Sequence, residues 1–200
     1  MSWILDRLYH FHWVTEDVAR SAQPYLGFYS AFLAPHGFKS LINLRGENAD
    51  FSWWTTEKKV TSALGIRHFD VKLSSRNLPS RSGLAALFDA FAAAERPLLL
   101  KCSGGQDRTS LAAALYLLHS QGHGALDKAE SQLAAWPYLH LPKSHQLWIR
   151  HFPGYANAQA GGAGLGSWAH GGYDPQHFAQ FLAAKGLKGS YRSFQAEVTT

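Results

Sequence analysis

Cys102 is the only cysteine of the chain, and Arg108 follows it with Ser103, Gly104, Gly105, Gln106 and Asp107 between them. A loop curling over that distance brings thiol and guanidinium to one small site. Its successive backbone N–H groups, from Ser103 to Arg108 and backed by the N-terminus of a following helix, form a cradle for a phosphate or another oxyanion. The same field favours thiolate over thiol and draws the cysteine below its ordinary value of about 8.5. Arg108 would clamp two oxygens of the bound anion with its fork of donors. A thiolate held against phosphate has one evident use, in-line attack on phosphorus.

Such a loop needs a strand to deliver it and a helix to receive it. The run Leu98-Leu99-Leu100 before Cys102 reads as a buried strand, and Thr109 to Ser120 as a helix apolar nearly all round. Upstream, a short helix is expected over Tyr25–Leu33, a strand over Phe38–Arg45, a helix over Thr55–Ala63, a strand over Ile66–Leu73 and a helix over Gly83–Ala94. Strands alternating with helices predict βαβ units and a parallel sheet. The expected fold class is therefore α/β: one domain with a central, mainly parallel sheet of about four to five strands flanked by helices. Downstream, Leu126–Leu133 reads as a further helix. Gly161–Gly172 reads as a flexible glycine-rich connection, and Asp174–Lys185 as a helix with Asp174 as N-cap and Pro175 in its first turn. The catalytic part is drawn as residues 1–155, with 156–200 as the connection and C-terminal helix packed on the same domain.

Composition narrows the functional classes. Two hundred residues, 46% hydrophobic and 16% charged, can bury a sizeable core and are not those of a disordered chain. No apolar run approaches the roughly 18 residues that span a bilayer. MSWILDRLYHFHWV has too short an apolar run, and no small-residue cleavage site, for a signal peptide. A lone cysteine forbids an internal disulfide and suits a reducing compartment, so a cytoplasmic location is expected. The formal charge of +5 suggests acidic partners, but no Lys/Arg run or binding motif points to nucleic acid. His140, His145 and His151 lack the spacing of a zinc site and read as ordinary surface or core histidines. The adjacent Trp53 and Trp54 read as a staple fixing the next helix to the sheet, with a pocket lining as the alternative.

Cys102 to Thr109, CSGGQDRT, resembles the Cys-x5-Arg-Ser/Thr signature of the cysteine-dependent protein tyrosine and dual-specificity phosphatases. Its form is closest to bacterial dual-specificity-like enzymes and some lipid phosphatases. The spacing alone is common; the strand before, glycines within, hydroxyl after and helix following make it specific together. A buried cysteine beside an ordinary turn is the bland alternative. The resemblance covers roughly Trp13 to Phe152 and implies a tyrosine-phosphatase-like fold and phosphate-monoester hydrolysis through a thiophosphate on Cys102. It implies no metal or other cofactor. The partner it implies is a phosphorylated protein, or a phosphorylated small molecule or lipid headgroup. Thr109 would hydrogen-bond the sulfur. Arg20 and Gln23 match an arginine-serine-x-Gln-Pro segment of similar bacterial enzymes and would sit near the pocket or brace a hairpin.

Two positions depart from the family pattern. Lys101 stands where histidine is usual, and would either add positive potential at the thiolate or point away. The general acid is usually an aspartate about thirty residues before the cysteine. Asp70 lies 32 before it, yet inside the strand His68-Phe69-Asp70-Val71-Lys72-Leu73, while Ser74–Pro79 carries no acid. Asp107 is the competing candidate. A proton donor must first reach the leaving-group oxygen, which favours Asp107, with a carboxylate bracing the loop as its alternative role. Lys72, Arg76 and Arg81 near the mouth suit a multiply charged substrate. The resulting expectation is a protein tyrosine or dual-specificity phosphatase. The alternatives are a phosphoinositide or phosphorylated-metabolite phosphatase and a catalytically weak phosphate-binding module.

Overall fold

In the computed structural model, which describes residues 2–24 and 27–197, the run before Cys102 is β5 (Leu98–Lys101), the middle strand of a five-stranded sheet. Its parallel neighbours are β2 (Val18–Ser21) on one side and β3 (Ser40–Asn43) on the other. β4 (Arg67–Asp70) extends the sheet in parallel beyond β3, and β1 (His12–Trp13) closes the opposite edge as an antiparallel hairpin with β2. Leu98, Leu99 and Leu100 are all buried because both faces of the sheet are covered, the usual condition of parallel strands.

The two faces are lined by alternate residues. Val18, Ile42, Leu98 and Leu100 share one core with α4 (Arg81–Ala93), α5 (Asp107–Gln121) and α7 (Trp148–Ala160). Ala19, Leu41 and Leu99 share the other with α1 (Ser2–Leu8), α2 (Tyr29–Leu33) and Val60 of α3 (Ser52–Ala63). The helix expected from Tyr25 is described from Tyr29; Tyr25 and Leu26 lie outside the described residues. Because side chains alternate along a strand, Lys101 and Cys102 belong to opposite faces. Cys102 joins the α5 side, while Lys101 stands level with Asn43 and Asp70 across three strands.

Helix α5 is buried from Thr109 to Leu118, being enclosed by the sheet, α6 (Leu126–Ser131), α7 and α8 (Leu165–Ser167). That enclosure explains its lack of a polar stripe. The glycine-rich stretch 161–172 is a correction to the expected flexible connection: it forms short helical turns with Leu165, Trp168 and Ala169 buried in the main core. Trp168 anchors it against Phe152, Tyr155 and Tyr173. α7 runs unbroken through residue 155, the expected boundary of the catalytic part. Helix α9 (Pro175–Ala184) is capped as expected, Asp174 accepting from the Gln176 N–H. The chain then returns along the loop after β4, where the Leu78 N–H donates to Ser193 O, the Gln195 N–H to Leu78 O and the Arg192 N–H to Arg76 O. Among the described residues no helix is long and apolar enough to cross a membrane.

Candidate active site

Cys102 leaves β5 at the level where α5 begins, and the loop between them folds against the end of β2. Gly105 makes this possible. It sits at φ +64°, and a Cβ there would lie 2.6 Å from the Ala22 nitrogen and 2.7 Å from the Ser21 carbonyl carbon. Across that close contact the fully buried Arg20 grips the loop. Its Nη2 donates to Gly105 O at 3.0 Å and to Ser110 Oγ at 2.6 Å, and its Nη1 reaches Gln132 O and Oε1, both at 3.1 Å. The guanidinium lies 4.2 Å from the Tyr138 ring centroid. Burial pulls Arg20 down to about 10, which leaves it a cation at neutral pH. The Gln23 N–H fastens the loop again at Ser103 O, 3.1 Å away. Arg20 and Gln23, expected near the pocket or in a hairpin, thus brace the Cys102–Arg108 loop itself.

The sulfur is buried, and burial alone would raise its pKa. The Arg108 charge, the Thr109 hydroxyl and the backbone N–H groups of Gly105 and Thr109 outweigh burial and hold Cys102 below the usual thiol value. Arg108 Nη2 donates to Ser103 Oγ at 2.9 Å, so its fork is folded back over the loop. The loop floors a cleft of about 250 Å3 whose other walls are Ser75, Arg76 and Gln146. Cys102, Ser103, Gly104, Gln106, Asp107 and Arg108 all line it. Gly105 and Thr109 lie behind that lining.

The two candidate acids are separated. Asp107, the first residue of α5, lines the cleft; its Oδ2 accepts from Gln146 Nε2 at 2.6 Å and its Oδ1 lies 3.1 Å from His140 Nδ1. Asp70 does not line the cleft. Its Oδ1 accepts from Asn43 Nδ2 at 2.7 Å and from Trp54 Nε1 at 3.0 Å, and its Oδ2 lies 3.4 Å from His68 Nδ1. Burial would raise Asp70, but His68, Trp54 and Asn43 together lower it to about 2.

Lys101 points away from the sulfur. Its Nζ is 2.6 Å from Glu57 Oε2 and donates to Gln23 Oε1 at 2.7 Å, with both charged side chains inaccessible to solvent. Glu57 also accepts from Gln23 Nε2 at 2.9 Å and lies 2.8 Å from His68 Nε2. Burial would raise Glu57; His68 and Lys101 overcome it and hold the carboxyl low. The two tryptophans divide their roles. Trp54 staples α3 to β4 through Asp70, and Trp53 carries the Arg45 guanidinium 3.4 Å from its ring centroid.

Arg76 and Arg108 also border an adjoining cleft of about 790 Å3, where they meet Arg45, Lys72 and Glu197. Arg81, expected at the same mouth, turns elsewhere: its Nε donates to Tyr173 O at 2.7 Å. Ser75, His140 and Gln146 are cleft or near-cleft residues that the sequence did not reveal. No local pattern marks them, since Gln146 and His140 meet Asp107 from 39 and 33 residues away.

Solved structures of other proteins share this fold. TpbA of P. aeruginosa, a cysteine-to-serine variant in complex with phosphotyrosine, aligns with a TM-score of 0.54 and 17% identity, covering 89% of this chain and 93% of that one. The core catalytic domain of the PP-IP phosphatase SIW14 from S. cerevisiae, in complex with citrate, aligns at 0.50 and 17% identity, covering 88% and 93%. Tk-PTP, in a glycine-to-alanine mutant form, aligns at 0.54 and 15% identity, covering 72% and 93%. At these identities what is shared is the fold. No protein-family profile and no curated sequence matches the chain.

Proposed function

We propose that this protein is a cysteine-dependent phosphatase that hydrolyses phosphate monoesters through a cysteinyl-phosphate intermediate, of the protein tyrosine or dual-specificity kind. One observation carries the reading: a sulfur held below the usual thiol pKa at the floor of a cleft bounded by loop amides and Arg108. The Cys102 thiolate attacks phosphorus in line, forming the S–P bond as the P–O bond to the leaving group breaks. Loop N–H groups and Arg108 hold the equatorial oxygens and gain strength as charge spreads over them. Asp107 is the proposed proton donor to the departing oxygen. In the second half its carboxylate takes a proton from the water whose oxygen displaces sulfur, and inorganic phosphate leaves.

The reading needs no metal. Cytoplasmic location and a phosphorylated protein partner belong to it as proposals. The small cleft, walled by Ser75 and Arg76 on one side and Gln146 on the other, supports the dual-specificity form. A second reading draws on the adjoining cleft, where Arg45, Lys72 and Arg76 would meet further phosphates of a phosphoinositide or phosphorylated metabolite. Phosphotyrosine and phosphoserine peptides assayed against phosphoinositides separate the two, a large preference for the latter favouring the second.

Cys102→Ser tests the mechanism. Phosphate release should fall below detection while a phosphotyrosine peptide still binds. Unchanged release from that variant sinks the mechanism. Stoichiometric peptide binding with no release by the unaltered protein would mean a binding module instead.

A further inference from the structure

His140 is completely buried, and only one of its ring nitrogens is used. Nδ1 lies 3.1 Å from Asp107 Oδ1, whereas Nε2 is buried with no hydrogen-bond partner. A buried polar atom left bare costs on the order of 1–3 kcal/mol. The ring's placement is therefore not accounted for by its own satisfaction; its one polar return is at Asp107. The backbone around it is also constrained. Leu139, immediately before it, is held at φ +50°, a conformation that costs a residue with a Cβ on the order of 1–3 kcal/mol unless its surroundings enforce it. The His140 carbonyl is tied to Arg150 Nη2 at 3.3 Å.

Gln146 completes the grip. Its Nε2 reaches both Asp107 Oδ2, at 2.6 Å, and Ser75 Oγ, at 3.2 Å, and its Oε1 accepts from the Lys143 N–H at 3.0 Å. Each carboxylate oxygen of Asp107 thus has its own partner, both supplied by the segment between α6 and α7. Meanwhile the loop after β4, which has no acid between Ser74 and Pro79, is pinned by Trp148 Nε1 on Ser75 O at 3.1 Å and by the C-terminal return at Arg76 and Leu78. The acid's neighbours are fixed on both sides of the cleft.

We propose that His140, assisted by Gln146, is the positioning residue for Asp107, fixing the plane and reach of the carboxyl so that its proton arrives at the leaving-group oxygen. The inference rests on the phosphatase reading and on Asp107 as the acid. His140 does not touch substrate; it acts through Asp107. The orientation it sets matters most when the departing oxygen is a strong base and the proton must arrive as the P–O bond breaks.

Leaving-group dependence tests this on the full chain. Phenyl phosphate departs as a poor leaving group and needs the proton; 4-nitrophenyl phosphate departs as a good one and needs it little. His140→Leu should lower kcat/KM, which reads the half-reaction that expels the leaving group, on phenyl phosphate by about ten- to a hundredfold, at or below the low end of what general acid catalysis supplies, with a far smaller loss on the nitrophenyl ester. His140→Asn, whose amide nitrogen overlies Nδ1, should recover most of the phenyl phosphate rate. His140→Gln, whose amide reaches toward Nε2, should not, and this polar pair carries the test should His140→Leu fail to fold. Equal losses on both esters, loss on neither, or Gln rescuing as well as Asn would overturn the positioning role alone. An unaltered protein that cleaves neither ester overturns the phosphatase reading, and this inference with it.

Discussion

Asp70 and Asp107 each lie beside a histidine Nδ1, at 3.4 and 3.1 Å, and each accepts from a side-chain amide, of Asn43 and of Gln146; what differs is where each stands. Asp70 belongs to a lattice of alternating charge on the α3 face of the sheet. Lys101 and His68 meet on Glu57, His68 turns its other nitrogen to Asp70, and Asn43 and Trp54 donate to the same carboxylate. Asp107 stands on the opposite face, at the start of α5 and on the wall of the cleft that holds the sulfur. The difference teaches what makes a carboxylate usable as an acid. Asp70, joined to Asn43, Trp54 and His68 and set away from the cleft, keeps its negative charge, and its lowering to about 2 expresses that. Asp107 instead stands on the cleft wall beside the reacting atoms, which is the placement a proton donor to the departing oxygen needs.

The largest expected effect breaks or upholds this contrast directly. Asp107→Asn should lower turnover of phenyl phosphate by about 10²- to 10⁴-fold, the usual contribution of a general acid. It should also remove the basic limb of the pH–rate profile. Asp70→Asn should keep that limb and lose only a few-fold in rate, on the order expected for a group that does not transfer the proton. If the two variants exchange these behaviours, the proton donor lies on the other face and the contrast is inverted.

Much of this geometry can be read locally. The apolar run before Cys102, the glycines after it and the all-round apolar helix beyond mark strand, loop and central helix without tertiary information. Strict alternation would also have put Lys101 on the face away from Cys102, since adjacent strand residues cannot share one. What local reading misses is set by distant contacts. His140 and Gln146 come from a segment with no periodic pattern, and their meaning depends on a carboxylate more than thirty residues earlier. The glycine-rich stretch misleads for a related reason: glycine content suggests freedom, whereas Leu165 and Trp168 among those glycines find an aromatic core to enter. The seam between 191–197 and the loop after β4 joins backbone hydrogen bonds at Arg76 and Leu78 to side-chain ones from Gln195 and Glu197, all between segments far apart in sequence, to which local patterns are blind.

A smaller effect sharpens the contrast from the lattice side. Glu57→Gln would leave the Lys101 ammonium buried without its counter-charge, and breaking a buried pair from one side costs about 3–5 kcal/mol. Urea unfolding should show that loss as a lower midpoint with little change in slope. A loss below about 1 kcal/mol, the scale of exposed pairs, would mean that water reaches Lys101 and that the lattice is not closed.

The smallest effect is on how stability depends on pH. Burial would raise Asp70, yet His68, Trp54 and Asn43 drop it from 3.8 to about 2 in the folded state. A depressed carboxylate contributes stability that is present above its unfolded value and lost as pH falls through the folded one, so the acid loss should run from about pH 4 down to about 2. His68 has the opposite sign. Burial would lower it, but Asp70 and Glu57 raise it above 6.5, so its contribution is complete below 6.5 and disappears as pH rises through the raised value. Asp70→Asn removes the first contribution and one of the two acceptors behind the second. Thermal unfolding followed across pH should therefore show a flatter acid limb and an alkaline decline that is smaller and complete at lower pH than in the unaltered protein. An acid limb as steep in Asp70→Asn as in the unaltered protein would mean that the lattice does not hold this carboxylate in its charged form.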